Sequence, residues 1–183
     1  MKTTLLALHA LLLCGPVAAQ DKPQQPSFPE PTEQHQWLQK FVGEWDVESE
    51  LHMEPGKEPI RGEGTETVTS LGGFWIVSEL ESSIMDQEMS GRMTIGFDSQ
   101  ENAFVATWVD SMTSQLWTYT GKSTEGENKL VLTTEGFCLM RGESCDFRDT
   151  VTFLDDDTRT MVSETQGENG EWVTIMKATF TRK

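Results

Sequence analysis

Positive charge is scarce in this 183-residue sequence, where 14 Lys and Arg stand against 30 Asp and Glu for a formal net charge of −16. A surface so acidic repels phosphate backbones and anionic headgroups, and nucleic acid is not an expected partner. Histidine is scarcer still. Of the 3 in the sequence, His9 lies in the N-terminal apolar segment, His35 in a helical-looking leader and His52 beside Glu48 and Glu50 on a charged face. Zinc and haem both need imidazole or thiolate donors converging on one point. No spacing here supplies them, so neither a metal nor another cofactor is expected. A Gly-x-Ser-x-Gly elbow is missing, and "GEGTETVTS" (62–70) sits in a strand pattern with no helix behind it. That removes a common nucleophile arrangement and the phosphate loop. No stretch approaches the roughly 18 consecutive apolar residues of a membrane helix, and membrane insertion is not expected.

What is present begins with an export signal. Lys2, the apolar run "LLALHALLL" (Leu5–Leu13) and the small residues Val17-Ala18-Ala19 supply the charge, core and cleavage site of a secretory signal peptide. Residues 1–19 are therefore expected to be removed, and the mature protein to be periplasmic or secreted. Cys14 raises the alternative of a lipid anchor, but Leu11-Leu12-Leu13 lack the small residue that lipoprotein signals carry before the cysteine. Gln20–Pro31, with four prolines and little to bury, predicts a flexible leader. Cys138 and Cys145 flank "LMRGES". In an oxidising compartment the pair is expected as a disulfide, since zinc would need two further ligands; free thiols are the alternative.

Residues 32–183 are expected to form one domain. Thr32 is an N-cap with Glu33 in the first turn, and Trp37, Leu38 and Phe41 lie at helical spacing before Gly43. From Trp45 the period becomes 2: Trp45, Val47, Ser49, Leu51 and Met53 alternate with Asp46, Glu48, Glu50 and His52. Further alternating runs follow at Gly62–Leu71, Phe74–Glu81, Gly91–Asp98, Ala103–Asp110, Gln115–Gly121, Lys129–Gly136, Phe147–Asp155, Arg159–Thr165 and Glu171–Arg182. Turn segments such as "DSQEN", "DDDT" and "GENG" separate them. About ten strands with no room for crossover helices predict an antiparallel meander. Closure into an up-and-down barrel removes its exposed edges, so the expected fold is all-β with a short N-terminal plug helix. Gly43 permits a sharp turn from plug to first strand, and Trp45 points inward beneath it.

The stretch "VGEWDVE" (42–48) is similar to the Gly-x-Trp signature that lipocalins and other calycins carry at the start of their first strand. With "MEPGKEP" (53–59), "GTETVTSLGGFWIVSEL" (64–80), "MTIGFDSQENAFVATWVDSM" (93–112) and "YTG" (119–121) in this order, the chain resembles the DUF1579 family from about Trp37 to Gly136. That resemblance implies a calycin-like barrel of bacterial type. It carries no catalytic residues, because the family has no settled activity.

Chemistry must come from polar or aromatic residues in phase with the apolar faces. Phe104, Ala106, Trp108 and Asp110 share one side of their strand, and Gln115, Trp117 and Tyr119 share one side of the next. Phase alone leaves the inward face open, because the opposite faces are partly apolar too. If the aromatic faces look inward, Trp75, Trp108, Trp117 and Tyr119 wall a pocket with Asp110, Met112 and Gln115 near its rim. The alternative is that the rings fill the barrel and Asp110 merely starts the "DSM" turn. Arg92 and Arg148 are the arginines weighed for an inward position, where a guanidinium holds a carboxylate ligand; the alternative faces them to solvent among acids. Methionines are scattered, as pocket lining or as core filler. The expected function is an exported, non-enzymatic barrel that binds a small apolar or amphipathic molecule. The rivals are a hydrolase or isomerase with carboxylates at the barrel mouth, and a solid barrel whose acidic face meets a protein partner.

Overall fold

Thr32 begins the helix that closes one end of the molecule. Its backbone N–H donates to His35 Nδ1 at 3.0 Å, and its hydroxyl lies 2.8 Å from the same nitrogen. The imidazole thus takes the place that Glu or Gln usually holds in a capping box. Helix α1 spans Glu33–Leu38 and runs into a 3-10 turn, Gln39–Phe41. The computed structural model describes residues 28–54, 56–123, 128–138, 141–167 and 169–183. The expected signal peptide with Cys14, the leader as far as residue 27, and Met140 lie outside the described residues. Residues 28–30 carry no helix or strand, and Pro31–Lys183 form a separate compact unit.

Ten antiparallel strands follow: β1 Gly43–Leu51, β2 Ile60–Leu71, β3 Trp75–Ile84, β4 Gln87–Asp98, β5 Ala103–Asp110, β6 Trp117–Ser123, β7 Lys129–Cys138, β8 Glu143–Phe153, β9 Thr158–Gln166 and β10 Trp172–Arg182. Each pairs with its sequence neighbours, and β10 returns to β1 in a register running from Trp45↔Arg182 to Leu51↔Met176. The sheet is therefore a closed barrel with no free edge, the arrangement that leaves no unpaired ladder for another chain to join. Alternation along the strands is the direct cause. In β7 every second residue from Leu130 to Cys138 is buried and the residues between them are half-buried or exposed. Such a pattern holds one register, because a slip of one residue would turn the apolar set outward.

The junction between plug and barrel explains the Gly-x-Trp spacing. Gly43 has φ +143°, and a Cβ there would lie 2.4 Å from Arg182 Nη1. The space a side chain would need is taken by the guanidinium of the last strand. Arg182 Nη1 donates to Val42 O at 2.8 Å, its Nη2 donates to Lys40 O at 3.0 Å, and the group sits 4.1 Å over the Trp45 ring. Trp45 is fully buried, and its Nε1 donates to Phe41 O at 2.8 Å. Rings complete the seal: Phe41 meets Phe153 edge-on at 4.9 Å and Phe97 meets Phe104 at 5.1 Å, geometries that add to their area burial. His35, read from the sequence as a residue of the leader helix, is 3% exposed, held between Phe74 and Phe97.

Trp45→Ala is expected to destabilise the barrel by about 3 to 5 kcal/mol in urea unfolding, since it empties the space beneath the plug and orphans the Phe41 carbonyl. A loss below about 1 kcal/mol would show that the plug does not depend on Trp45.

Candidate functional site

Below the plug the barrel is hollow because two of its inward indoles, Trp108 and Trp117, lie along the wall instead of across the centre. A Cβ on Gly91 would meet three atoms of the Trp108 ring between 2.0 and 2.8 Å, and one on Gly136 would come within 2.2 Å of Trp117. Each indole therefore rests on the backbone of a neighbouring strand. On β1 to β3 the inward positions include Ser49, Gly62, Gly64, Ser78 and Ser82, all small. What remains is a cavity of about 340 Å³, at the small end of the roughly 300 to 1,000 Å³ typical of ligand pockets. Its surface is mostly apolar: Val47, Val68, Ile76, Leu80, Ile95, Leu132 and Val151 with Met89, Met93, Met161 and Met176.

Three polar groups interrupt that surface. Beside the plug, Arg159 of β9 pairs through Nη2 with Glu66 Oε2 of β2, and Ser78 Oγ donates to Glu66 Oε1 at 2.5 Å. Arg159 is 2% exposed and its guanidinium lies 3.9 Å from the Phe180 ring centre and 4.6 Å from that of Trp45. Burial pulls its pKa down, against the opposing charge of Glu66. Its Nε has no hydrogen-bond partner among the described residues. On the β6–β8–β9 wall, Ser163 Oγ donates to Asp149 Oδ1 at 2.5 Å, and the Tyr119 hydroxyl bonds the same carboxyl. Burial pushes the Asp149 pKa up, and the two hydroxyls pull it back in part. Tyr119 is raised as well, first by burial and then by the charge of Asp149. At the end of β5, Asp110 Oδ2 accepts from Trp108 Nε1 at 3.0 Å, while Oδ1 accepts from the backbone N–H groups of Met112 and Thr113 at 2.8 and 2.9 Å. Asp110 thus both faces the cavity and holds the β5–β6 turn.

Of the seven residues marked from sequence for the pocket, Trp108, Asp110, Trp117 and Tyr119 line the cavity. Met112, 54% exposed, and Gln115 lie in the β5–β6 loop and are not among its lining residues. Trp75 is on the other face of the sheet, its ring over Gly96. Neither weighed arginine turns inward: Arg92 is ion-paired with Glu79 and Glu81 at 3.5 and 3.2 Å, and Arg148 with Glu164 at 2.6 Å beneath Trp172. The inward arginine is Arg159, which the sequence reading passed over with Glu66, Asp149 and Ser163. Asp149 carried a usable signal, since it shares its phase with Phe147, Val151 and Phe153. Cys138 and Cys145 are buried free thiols. Register sets Cys138 opposite Glu143 and Cys145 opposite Gly136, so the two residues occupy a diagonal of the hairpin with their side chains beside one another, and the expected disulfide is not shown. Among the described residues no three His, Cys, Asp or Glu side chains gather as metal ligands would.

Glu66→Gln is expected to cost about 3 to 5 kcal/mol, because it strands the Arg159 charge in an apolar setting, and the double variant Glu66→Gln/Arg159→Met should recover most of that loss in denaturant titrations. Asp149 gives a pH dependence. Its raised folded pKa means that the neutral carboxyl is favoured in the fold, so its contribution is present below its unfolded pKa, about 3.9, and fades as pH rises through the folded value. The stability of Asp149→Asn relative to the parent should therefore increase as pH climbs from about 4 toward neutrality; parallel pH profiles would contradict the assignment.

The fold has known counterparts. The Rv2717c protein of M. tuberculosis is similar in structure, with a TM-score of 0.59 at 9% identity over 84% of this chain and 99% of its own. The S-type phycobiliprotein lyase CPES of Guillardia theta matches at a TM-score of 0.56 and 14% identity, over 83% of this chain and 93% of its own. No curated protein matches the sequence. The family model described as "Protein of unknown function (DUF1579)" matches residues 30–182, past the point where the sequence resemblance ended, and the chain belongs to the DUF1579 family.

Proposed function

We propose that this protein is an exported barrel that binds one small amphipathic molecule in its interior. The cavity of about 340 Å³ carries this reading: a closed barrel stabilised only by its core would gain by filling that space, since each missing buried methylene forfeits about 0.8 kcal/mol. Apolar walls supply affinity, and the polar groups at Glu66–Arg159, Asp149 and Asp110 supply orientation. A phycobiliprotein lyase on a similar barrel is in keeping with an interior that handles small molecules. Export rests on the N-terminal charge, apolar core and Ala19 cleavage site.

Catalysis by paired carboxylates is the weaker reading. General acid–base work needs two carboxyls free to exchange protons with a substrate. Here Glu66 is held by Arg159 and Ser78, and Asp110 is bound by the turn it caps. A solid interaction module would require a filled interior.

Native mass spectrometry of protein recovered gently from its host is expected to give a chain beginning at Gln20 with a small molecule retained. Ala178→Phe, which drives a ring into the cavity, should abolish retention while the far-ultraviolet circular dichroism stays that of the parent. A parent protein that carries nothing, and takes up no apolar probe after purification, would defeat the reading.

A further inference from the structure

Charge inside the barrel is unevenly matched, and this bears on which molecules fit. The carboxyls lining the cavity are Glu66, Asp110 and Asp149, and the guanidinium is Arg159. Arg159 is already engaged by Glu66, which Ser78 also holds. A carboxylate ligand would have to displace Glu66 or crowd a second anion onto the same guanidinium, and like charges in a low-dielectric space repel strongly. The other two carboxyls are bonded by uncharged donors: Asp149 by the hydroxyls of Ser163 and Tyr119, Asp110 by the N–H groups of Trp108, Met112 and Thr113. Tyr119 feels the charge of both. Around them stand the rings of Trp108, Trp117, Tyr119 and Phe147, with Phe147 edge-on to Trp117 at 5.0 Å.

We infer that the cavity selects an organic cation with an apolar body, an amine or quaternary ammonium compound, and discriminates against fatty-acid-like carboxylates. This rests on the interior-binding reading above. Electron-rich ring faces attract a positive head group, more strongly when it is desolvated, and the Asp149 carboxyl supplies the counter-charge. The raised pKa values of Asp149 and Tyr119 mark a wall on which negative charge is costly as it stands; a bound cation removes that cost by favouring the ionised carboxylate. The acidic exterior, with its net charge of −16, raises the local concentration of cations at the same time.

Three probes of equal chain length separate the possibilities: decyltrimethylammonium, decanoate and 1-decanol, titrated by calorimetry and tryptophan fluorescence at neutral pH. Decyltrimethylammonium should bind about tenfold or more tightly than decanoate, and Asp149→Asn should cut that preference by about tenfold, weakening the cation more than it weakens 1-decanol. Decanoate binding as tightly as the cation would overturn the inference but, with 1-decanol also bound, would leave interior binding intact. A folded Asp149→Asn protein that keeps the full preference would place recognition on the outer surface and overturn it as well. If none of the three binds, the interior-binding reading falls and the inference goes with it. Should Asp149→Asn fail to fold, competition in the parent protein decides: displacement of 1-decanol by the cation supports a shared cavity, and independent binding overturns it.

Discussion

Closure of this barrel depends on one arginine. Arg182 is the last residue of β10, and its guanidinium reaches across the seam to the carbonyls of Lys40 and Val42 while covering Trp45 of β1. The plug, the first strand and the last strand meet in that one group. Because the donors are charged and the acceptors are backbone carbonyls at a helix end, each bond is stronger than a neutral one and satisfies a group the helix itself leaves unpaired. Glycine at position 43 follows from this, since any side chain would occupy the space of the guanidinium. The Gly-x-Trp spacing is therefore the local imprint of a contact made with a residue well over a hundred positions further along the chain.

With the seam held at one end, the far end of the barrel is free to stay open inside. The plug end is packed by aromatic rings from α1, the 3-10 turn, β4, β5 and β8. Beyond it, tryptophans lie on inward glycines, and small residues on β1 to β3 leave volume unfilled. Hollowing a core has a cost in lost dispersion and transfer energy. Burying the Glu66–Arg159 pair and Asp149 adds a desolvation cost. Neither helps a barrel to fold, and both are intelligible if the space exists for a guest that restores the missing contacts.

The strands were legible because a half-buried strand writes its period of 2 into the sequence, and β5 spans the very residues expected, Ala103–Asp110. Other limits moved where turn chemistry is unmarked. Strands β3 and β4 continue to Ile84 and from Gln87 through a turn at Met85-Asp86, both with positive φ at 53° and 58°. Hairpin turns of that kind normally announce themselves with Asn or Gly, and neither residue does. Closure was legible from strand number and the absence of crossover helices, whereas the pairing of β1 with β10 was not written in any local pattern.

The candidate site was half legible for a related reason. Trp108, Asp110, Trp117 and Tyr119 stood out because aromatic residues concentrate on one phase of adjacent strands. Charged residues resist the same treatment, since a period-2 reading assigns them to water by default. Arg159 and Glu66 defeat that rule together: each is tolerable inside only because the other is there, and strands β2 and β9 lie on either side of the seam pair β1–β10. A buried ion pair between strands so distant in sequence is a property of the closed barrel, and no single segment contains it. Asp149 differs in that its partners are hydroxyls and its neighbours in phase are Phe147 and Val151, so it was, like Asp110, an acid on an apolar phase and a visible sign of interior polarity. Its cost to the fold is the strongest reason to regard that wall as built for something other than stability.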